Sequence, residues 1–445
     1  MKPLNLGIKR TTLDITLLAV FVSLVLIGTM AIMSAVSGTS FAEQILRTHF
    51  VAIILAVVVF ILSWSLNYQV FSDQWKVLYG IMILTLIAVL IIGVSDRGSR
   101  SWFRLPFFSI QPSELCRVGL IMVMASFLHF NYRRIADPQV IIKVCALILP
   151  MFALVMMQPD FSWVVITFPT IFAMLYASGV NMFYLIIICG YAGISGLFPI
   201  MWTLFDLKPD LLDYRVFSFL DGLSNFGWNT FIFCGAAIVL GYLVWYSLRQ
   251  LRIMAPTFYV LLAVTVLLAG FFSGVFIDKQ IKNYQRKRVE AFLEPTSDPK
   301  GAGYNVIQSK IAIGSGGFVG KGLFSGTQAR LGFVPERHTD FILAVVGEEM
   351  GFMGMLAVLL LYLIMLYRVY SVALVSSDMF GFLVCCGVFS MFLVYLVVNF
   401  GMIVGLLPVA GIPLPLISYG GSNLVSSVWA LGLVESIYAR RITVV

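Results

Sequence analysis

Charge is what this sequence lacks most. Asp, Glu, Lys and Arg make up 11% of its 445 residues, where a soluble domain carries roughly 25%. Hydrophobic residues make up 60%, so the chain has too little polar surface to face water on all sides. A bilayer is the solvent that fits, which excludes a soluble enzyme and a disordered regulator. Histidine is scarce as well. His49, His129 and His338 are the only three, too few for a multi-His metal site. The six cysteines lie within or beside apolar runs, with neither metal-ligand spacing nor a paired framework in the loops. They read as packing residues, which excludes a secreted disulfide scaffold. No internal repeat or low-complexity tract stands out.

What the sequence has is long apolar runs. A helix needs about 20 apolar residues to cross a bilayer. Runs of that kind occur at 13–34, 50–66, 77–94, 114–130, 141–157, 162–178, 182–204, 228–248, 256–277, 345–368, 379–399 and 418–438. The first follows Lys9 and Arg10 as a signal peptide would, but it is long enough to span and reads as a transmembrane helix. The predicted class is an all-α polytopic membrane protein with about twelve spans. An even count puts both termini on one side. Segments on that side hold twelve Lys and Arg, and the short segments opposite hold six. The positive-inside rule makes the N- and C-termini cytoplasmic. The net charge of +8 is thus a topology signal, and no nucleic-acid partner is expected.

One connector is far longer than a turn needs. Segment 278–344 faces outward in this topology, and loops above ~12–15 residues are usually functional or disordered. Its apolar pieces, such as Val306-Ile307, predict that it packs. It carries the run Gly314-Ser315-Gly316-Gly317 and then Gly320-Lys321-Gly322. Glycines let backbone N–H groups approach an anion, and Lys321 adds charge. A tightly turned loop explains the same string. Next comes Pro335-Glu336-Arg337-His338-Thr339-Asp340, directly before an apolar helix. Thr339 or Asp340 is placed to cap that helix. The same carboxylate, at the outer face of the membrane, is placed to act as a general base.

Other polar residues interrupt the apolar pattern. Arg100, Trp102 and Arg104 lie in an outer loop ending in Gln111-Pro112-Ser113-Glu114, with Arg117 one turn into the next span. Arginine suits phosphate oxygens because it binds them bidentately; interfacial anchoring is the plainer role for the same residues. Glu114 and Arg117 are i,i+3 neighbours, placed for function within the membrane or for a structural ion pair. Gln158-Pro159-Asp160 breaks an apolar stretch, so Asp160 lines a cavity or caps the next helix. Glu348 and Glu349 must face inward or the interface. Pro413, Pro415 and Ser418-Tyr419-Gly420-Gly421 read either as a broken, cavity-lining approach to the last helix or as a tight turn.

Together these segments resemble the SEDS family (shape, elongation, division and sporulation), polytopic peptidoglycan polymerases. The resemblance is carried by DPKGAGYNVIQSKIAIGSGG, GKGLFSGTQ, PERHTDF and GEEMGF in that order, then by GIPLPLISYGGS, QPSEL and QPD. The forms GSGG, GKG, GTQ and ERHTDF look more like the RodA elongation branch than the FtsW division branch. The resemblance implies a ten-helix SEDS bundle. The spans at 228–248 and 256–277 would then be an added pair within an inserted, lineage-specific segment 205–277 of one integral membrane domain, 1–445. Packing against a partner's membrane helix is one role for that pair. Segment 278–344 becomes the extracytoplasmic catalytic loop. The family often has Lys where Arg117 stands, and QPDFSW replaces its QPDLGT.

The resemblance also implies a reaction. Lipid II, the undecaprenyl-pyrophosphate-linked disaccharide-pentapeptide, would be polymerised into glycan strands during elongation at the outer face of the cytoplasmic membrane. Asp340, the acid of the HTDF element, would be the catalytic residue. Arg100, Arg104, Trp102, Lys321 and His338 would contact substrate or pyrophosphate, and a divalent cation, Mg or Mn, could share that work. Glu114, Arg117, Asp160, Ser418, Gly420 and Gly421 would be structural or line the cavity. Partners would be a class B penicillin-binding protein and other elongation-complex membrane proteins. The alternatives are a lipid II transporter, which many helices and a broken span fit equally, and a non-catalytic scaffold.

Overall fold

The computed structural model describes residues 13–96, 99–104, 108–251, 256–281, 283–295, 301–330 and 332–441. The Asp298-Pro299-Lys300 part of the longest motif lies outside them. The chain forms two compact units, residues 1–180 with 305–445, and residues 181–304.

Long apolar runs become helices because a bilayer leaves a backbone no other internal partner. With the shorter helices between them, the first unit has α1 (Ile15–Val36), α2 (Ala42–Ser65), α3 (Gln69–Asp73), α4 (Trp75–Ile92), α5 (Pro112–Phe130), α6 (Pro138–Met157) and α7 (Phe161–Ala177). In the second unit they are α8 (Met182–Leu207), α9 (Arg215–Asp221), α10 (Trp228–Gln250), α11 (Thr257–Gln280) and α12 (Asn283–Leu293). The chain then returns to the first unit with α13 (Ala302–Gly316), α14 (Thr327–Arg330), α15 (Ile342–Leu374), α16 (Met379–Val404) and α17 (Gly421–Ala439). Every one of the twelve predicted spans coincides with a helix. Ten of the described helices are long and apolar enough to cross a membrane. Of the other two, α7 is apolar but has only 17 residues.

Helices α5 and α16 make the centre of the first unit. Both are buried along most of their length, and α16 packs against α5, α7, α15 and α17. The outer helices leave large apolar side chains uncovered, such as Leu84 at 67% and Ile91 at 70% exposed. Such a belt matches hydrocarbon, not water.

The outer loop before α5 is not helical. Strands β1 (Val94–Asp96), β2 (Ser99–Arg104) and β3 (Ser109–Ile110) form a small antiparallel sheet in sequence order. Successive strand residues face opposite ways, so Arg100, Trp102 and Arg104 share one face while Ser101, on the other, is buried.

The second unit is built on α8. Gly270 and Gly274 of α11 lie against Ile194 and Phe198 of α8, and α10 packs on α11. Phe198, Trp202, Phe205, Leu223, Phe271 and Val275 form its core. Arg286 of α12 ties Asp206 (3.0 Å) and Asp278 (2.8 Å). The segment predicted as one outer loop, 278–344, therefore contains the end of α11 and the helices α12, α13 and α14. Its apolar residues Val306 and Ala312 are buried, and Ser309 donates to the Ile403 carbonyl (3.2 Å).

Candidate active site

Asp340 lies in the turn that leads into α15. Phe341 holds the capping position of α15, and its side chain makes no capping hydrogen bond. Neither Thr339 nor Asp340 occupies the capping position expected of it. The Thr339 hydroxyl instead donates to the Glu336 carbonyl (3.1 Å) and carboxylate (3.2 Å), and the N–H groups of Thr339 and Phe341 bond to the same carbonyl. Glu336 takes a φ of 50°, the left-handed region that lets this turn close on itself. The Asp340 side chain is half-buried.

Three segments remote in sequence meet at this turn. The Tyr419 N–H donates to the His338 carbonyl (2.8 Å), and the two rings lie 5.6 Å apart. Burial pushes the Tyr419 hydroxyl pKa above its usual value. The Asn399 Nδ2 of α16 donates to the carbonyls of Asp340 (3.2 Å) and Ile412 (2.8 Å). Arg337 Nε donates to the Ala35 carbonyl at the end of α1 (2.7 Å), and burial lowers its guanidinium pKa. Between α1, α2 and this turn opens a cavity of about 190 Å³ lined by Ala35, Val36, Phe41, Val334, Glu336 and His338, among others.

The arginine-bearing sheet reaches the same place through the segment before α17. The Gln111 N–H donates to the Ser422 hydroxyl (2.8 Å), which donates to the Ser109 carbonyl (3.2 Å). Phe108 lies so close to Gly421 that a Cβ there would be 2.3 Å from its ring. Gly420 holds the capping position of α17. Ser418 folds back on its own chain, accepting from the Leu414 N–H (2.8 Å). Residues 405–420 are thus an irregular, largely buried approach to α17.

Lys321 is engaged elsewhere. Helix α15 is interrupted at Gly351, whose φ of 64° and ψ of −162° are not helical. The break frees carbonyls and N–H groups within an apolar helix, and each needs a new partner. The glycine run supplies them. Lys321 and Gly322 N–H groups donate to the Glu348 and Glu349 carbonyls (both 3.0 Å), and Phe352 N–H donates to the Gly317 carbonyl (2.9 Å). Glu348, fully buried, accepts from Lys321 Nζ (2.7 Å), Thr327 N (2.8 Å) and Gln328 N (2.8 Å). Glu349 accepts from Ser34 of α1 and from Gly326 N (3.3 Å). The Lys321 and Gly322 amides, read as part of a cradle for an external anion, hold main-chain carbonyls of the broken helix, while the Gly326, Thr327 and Gln328 amides hold its carboxylates, so the tight-turn reading describes this loop.

Glu114 and Arg117 pair within α5 (2.8 Å). Tyr395 of α16 contacts both, and Asn423 of α17 donates to Glu114 (3.2 Å) and to the Tyr395 hydroxyl (3.0 Å). Asp160 caps α7 by accepting from Trp163 N (3.1 Å), and it also accepts from the side chains of Gln111 (2.9 Å) and Ser113 (3.3 Å). The QPSE and QPD elements therefore form one polar cluster between α5, α7, α16 and α17. Tyr395, Asn399 and Asn423 had no place in the sequence reading. Their signal was present as polar groups in otherwise apolar spans.

No three His, Cys, Asp or Glu side chains converge as metal ligands among the described residues. A cation held beside a pyrophosphate would ask less of the protein, one or two carboxylates, and half-buried Asp340 and Glu336 would be the acids to hold it.

Known proteins similar to this chain fall in one family. The family model for FtsW, RodA and SpoVE, described as "Cell cycle protein", matches residues 10–231 and 229–442. Peptidoglycan glycosyltransferase MrdB of Escherichia coli (strain K12) is 32% identical over 434 residues, covering 97% of this chain and 95% of that protein. Peptidoglycan glycosyltransferase RodA of Treponema pallidum (strain Nichols) is 34% identical over 441 residues, covering 96% and 98%. A chain from a structure titled "Structural coordination of polymerization and crosslinking by a peptidoglycan synthase complex" matches with a TM-score of 0.64 at 26% identity, covering 97% and 98%. The crystal structure of Thermus thermophilus rod shape determining protein RodA matches in fold, with a TM-score of 0.57 at 22% identity, covering 97% and 98%. The motifs, the multi-pass helical fold and these matches have one reading: the chain belongs to the FtsW, RodA and SpoVE family, the SEDS family.

Proposed function

We propose that this chain is a peptidoglycan glycosyltransferase of the elongation branch, polymerising lipid II at the outer face of the cytoplasmic membrane with Asp340 as general base. The observation that carries the reading is the carboxylate of Asp340. It stands one residue before the capping position of a long membrane helix, in a turn hydrogen-bonded both to the segment before α17 and to Asn399 of α16. The names of relatives more than 30% identical over nearly the whole chain support the same activity.

In the reaction, Asp340 takes the proton from the acceptor GlcNAc 4-hydroxyl. That oxygen attacks C1 of the donor MurNAc, forming the new glycosidic bond with inversion. The bond from C1 to the phosphate oxygen breaks, and undecaprenyl pyrophosphate leaves with its electron pair. Arg100 and Arg104 meet the developing charge. Four steps along the strand separate their Cα atoms by about 13 Å, so the two side chains bracket a pyrophosphate from both ends. Lys321, neutralised by Glu348, is assigned to the loop instead. Trp102 lies between the arginines on the same face, and His338 lines the cavity beside the turn. The polyprenyl tails lie among the apolar helices. The partner is a class B penicillin-binding protein, with both termini of this chain in the cytoplasm. The α10–α11 pair is the added element of the family bundle.

Purified protein with its partner, the partner's transpeptidase blocked, is tested on labelled lipid II. Wild type makes glycan strands, and folded Asp340→Asn does not. If the variant polymerises normally, the base assignment is wrong. If the correctly partnered wild type is silent, lipid transport or scaffolding takes over as the leading account.

A further inference from the structure

The amide of Asn399 occupies a place that a packing residue does not need. It is fully buried in α16. One NH₂ group carries two hydrogens in a fixed plane and can serve two acceptors at once. Here it serves the carbonyls of Asp340 and Ile412, one from each side of the candidate site. The two carbonyls come from different stretches of chain. The Asp340 carbonyl lies one residue before Phe341, which accepts the first bond of the helix turn from the Ala344 N–H (3.0 Å). Ile412 lies in the irregular segment before α17, which has no ladder to satisfy it. With both hydrogens directed at carbonyls, the orientation of the amide is fixed. Its Oδ1 is buried and accepts no hydrogen bond among the described residues. A second tie crosses the same gap, from Tyr419 N to the His338 carbonyl.

We propose that Asn399 is a positioning residue for Asp340, locking the backbone of the Asp340 turn to the segment that anchors the arginine-bearing sheet. This rests on the reading of Asp340 as the general base. A carboxylate held through its own main chain, on a buried α16 that also packs on α5, α7 and α17, keeps a set distance from the arginine strand while the lipid substrates exchange. Displacement of a reacting group by about 1 Å costs up to ~100-fold in rate. The lock therefore bears on kcat and leaves substrate capture alone.

The test compares wild type, Asn399→Leu and Asn399→Gln as full-length protein with its transpeptidase-blocked partner. Leu nearly matches Asn in shape and donates nothing. Gln keeps both donors one methylene further out. Three readouts are taken: polymerisation of labelled lipid II, hydrogen exchange across residues 338–341 and 412–419, and thermal unfolding. Asn399→Leu is expected to lose about 10- to 100-fold in kcat with KM within twofold, and to exchange faster in both segments, the Tyr419 amide included. Asn399→Gln recovers part of both. The proposal is overturned if Asn399→Leu keeps its kcat per folded molecule, or if exchange in the two segments is unchanged. Asp340→Asn is run in parallel. If that variant polymerises like wild type, the base reading falls by itself, and the exchange data still decide whether Asn399 holds the turn.

Discussion

The ion pair between Lys321 and Glu348 separates two roles for the glycine run, and a double-mutant cycle measures which one it has. Glu348 is fully buried and gathers an ammonium, two backbone N–H groups and the Thr327 hydroxyl on one oxygen. In Glu348→Gln the shape survives but the charge is lost. Charge-assisted hydrogen bonds stabilise by about 1.5–3 kcal/mol each and neutral ones by about 0.5–1.5. Breaking a fully buried pair costs ~3–5 kcal/mol. Lys321 retains 29% side-chain exposure and can turn to water, so the cost falls to about 3 kcal/mol. At about 2.1 cal/mol/K of unfolding entropy per residue, a unit of roughly 320 residues would lose about 4–5 °C in Tm. Lys321→Met removes the cation and leaves a buried carboxylate short of one partner, with a loss of similar size. The double variant is expected to lose less than the sum, by about 1–3 kcal/mol of coupling. Thermal unfolding of purified protein, alongside polymerisation of labelled lipid II, is the assay. The reasoning is refuted if Lys321→Met leaves Tm unchanged and raises KM or lowers kcat. Lys321 would then be a substrate ligand and the loop an anion site after all.

Gly351→Ala should be poorly tolerated, because a Cβ there would lie 2.3 Å from the Gly320 nitrogen at a φ of 64°. Strain of about 1–3 kcal/mol should appear as a lower unfolding temperature. Arg100→Lys and Arg104→Lys keep the charge and lose the fork, so KM for lipid II should rise by about tenfold per site, at ~1.4 kcal/mol. Unchanged kinetics in both would mean that this face of the strand does not meet pyrophosphate. Arg117→Met leaves Glu114 buried without its cation and should lower stability by ~3–5 kcal/mol. Glu114→Gln combined with Arg117→Met should recover most of that loss, measured by thermal unfolding.

The spans were legible because bilayer thickness fixes their length and leaves the backbone no alternative to a helix. The small sheet was not read, although Ser99, Ser101 and Phe103 alternate with Arg100, Trp102 and Arg104 over six residues. That period-2 signal was short, and it sat between two runs whose length dominated. The shifted capping position has a different cause. A Thr or Asp before an apolar run is the usual helix-start signal. Here the Glu336 carbonyl gathers the N–H groups of Thr339 and Phe341 and the Thr339 hydroxyl, so the turn closes first and the helix starts one residue late.

The polar residues inside the spans show where sequence reasoning stops. A buried Glu114 or Glu348 announces itself, since a charge in hydrocarbon must have a partner. The identity of that partner depends on tertiary contact: Lys321 lies 27 residues from Glu348, and Tyr395 lies 281 residues from Glu114. Asn399 announces itself less, being uncharged within a 26-residue apolar helix. Tyr395 and Asn399 are four residues apart, which puts them on one face of α16. That face touches the Glu114–Arg117 cluster at one level and the Asp340 turn at the next. The sequence period predicts the shared face. It does not predict that α5, the turn before α15 and the segment before α17 present a carboxylate and two carbonyls to it. The candidate site depends on that convergence, because the Asp340 backbone is fixed only where three separate stretches of chain supply donors and acceptors to one another.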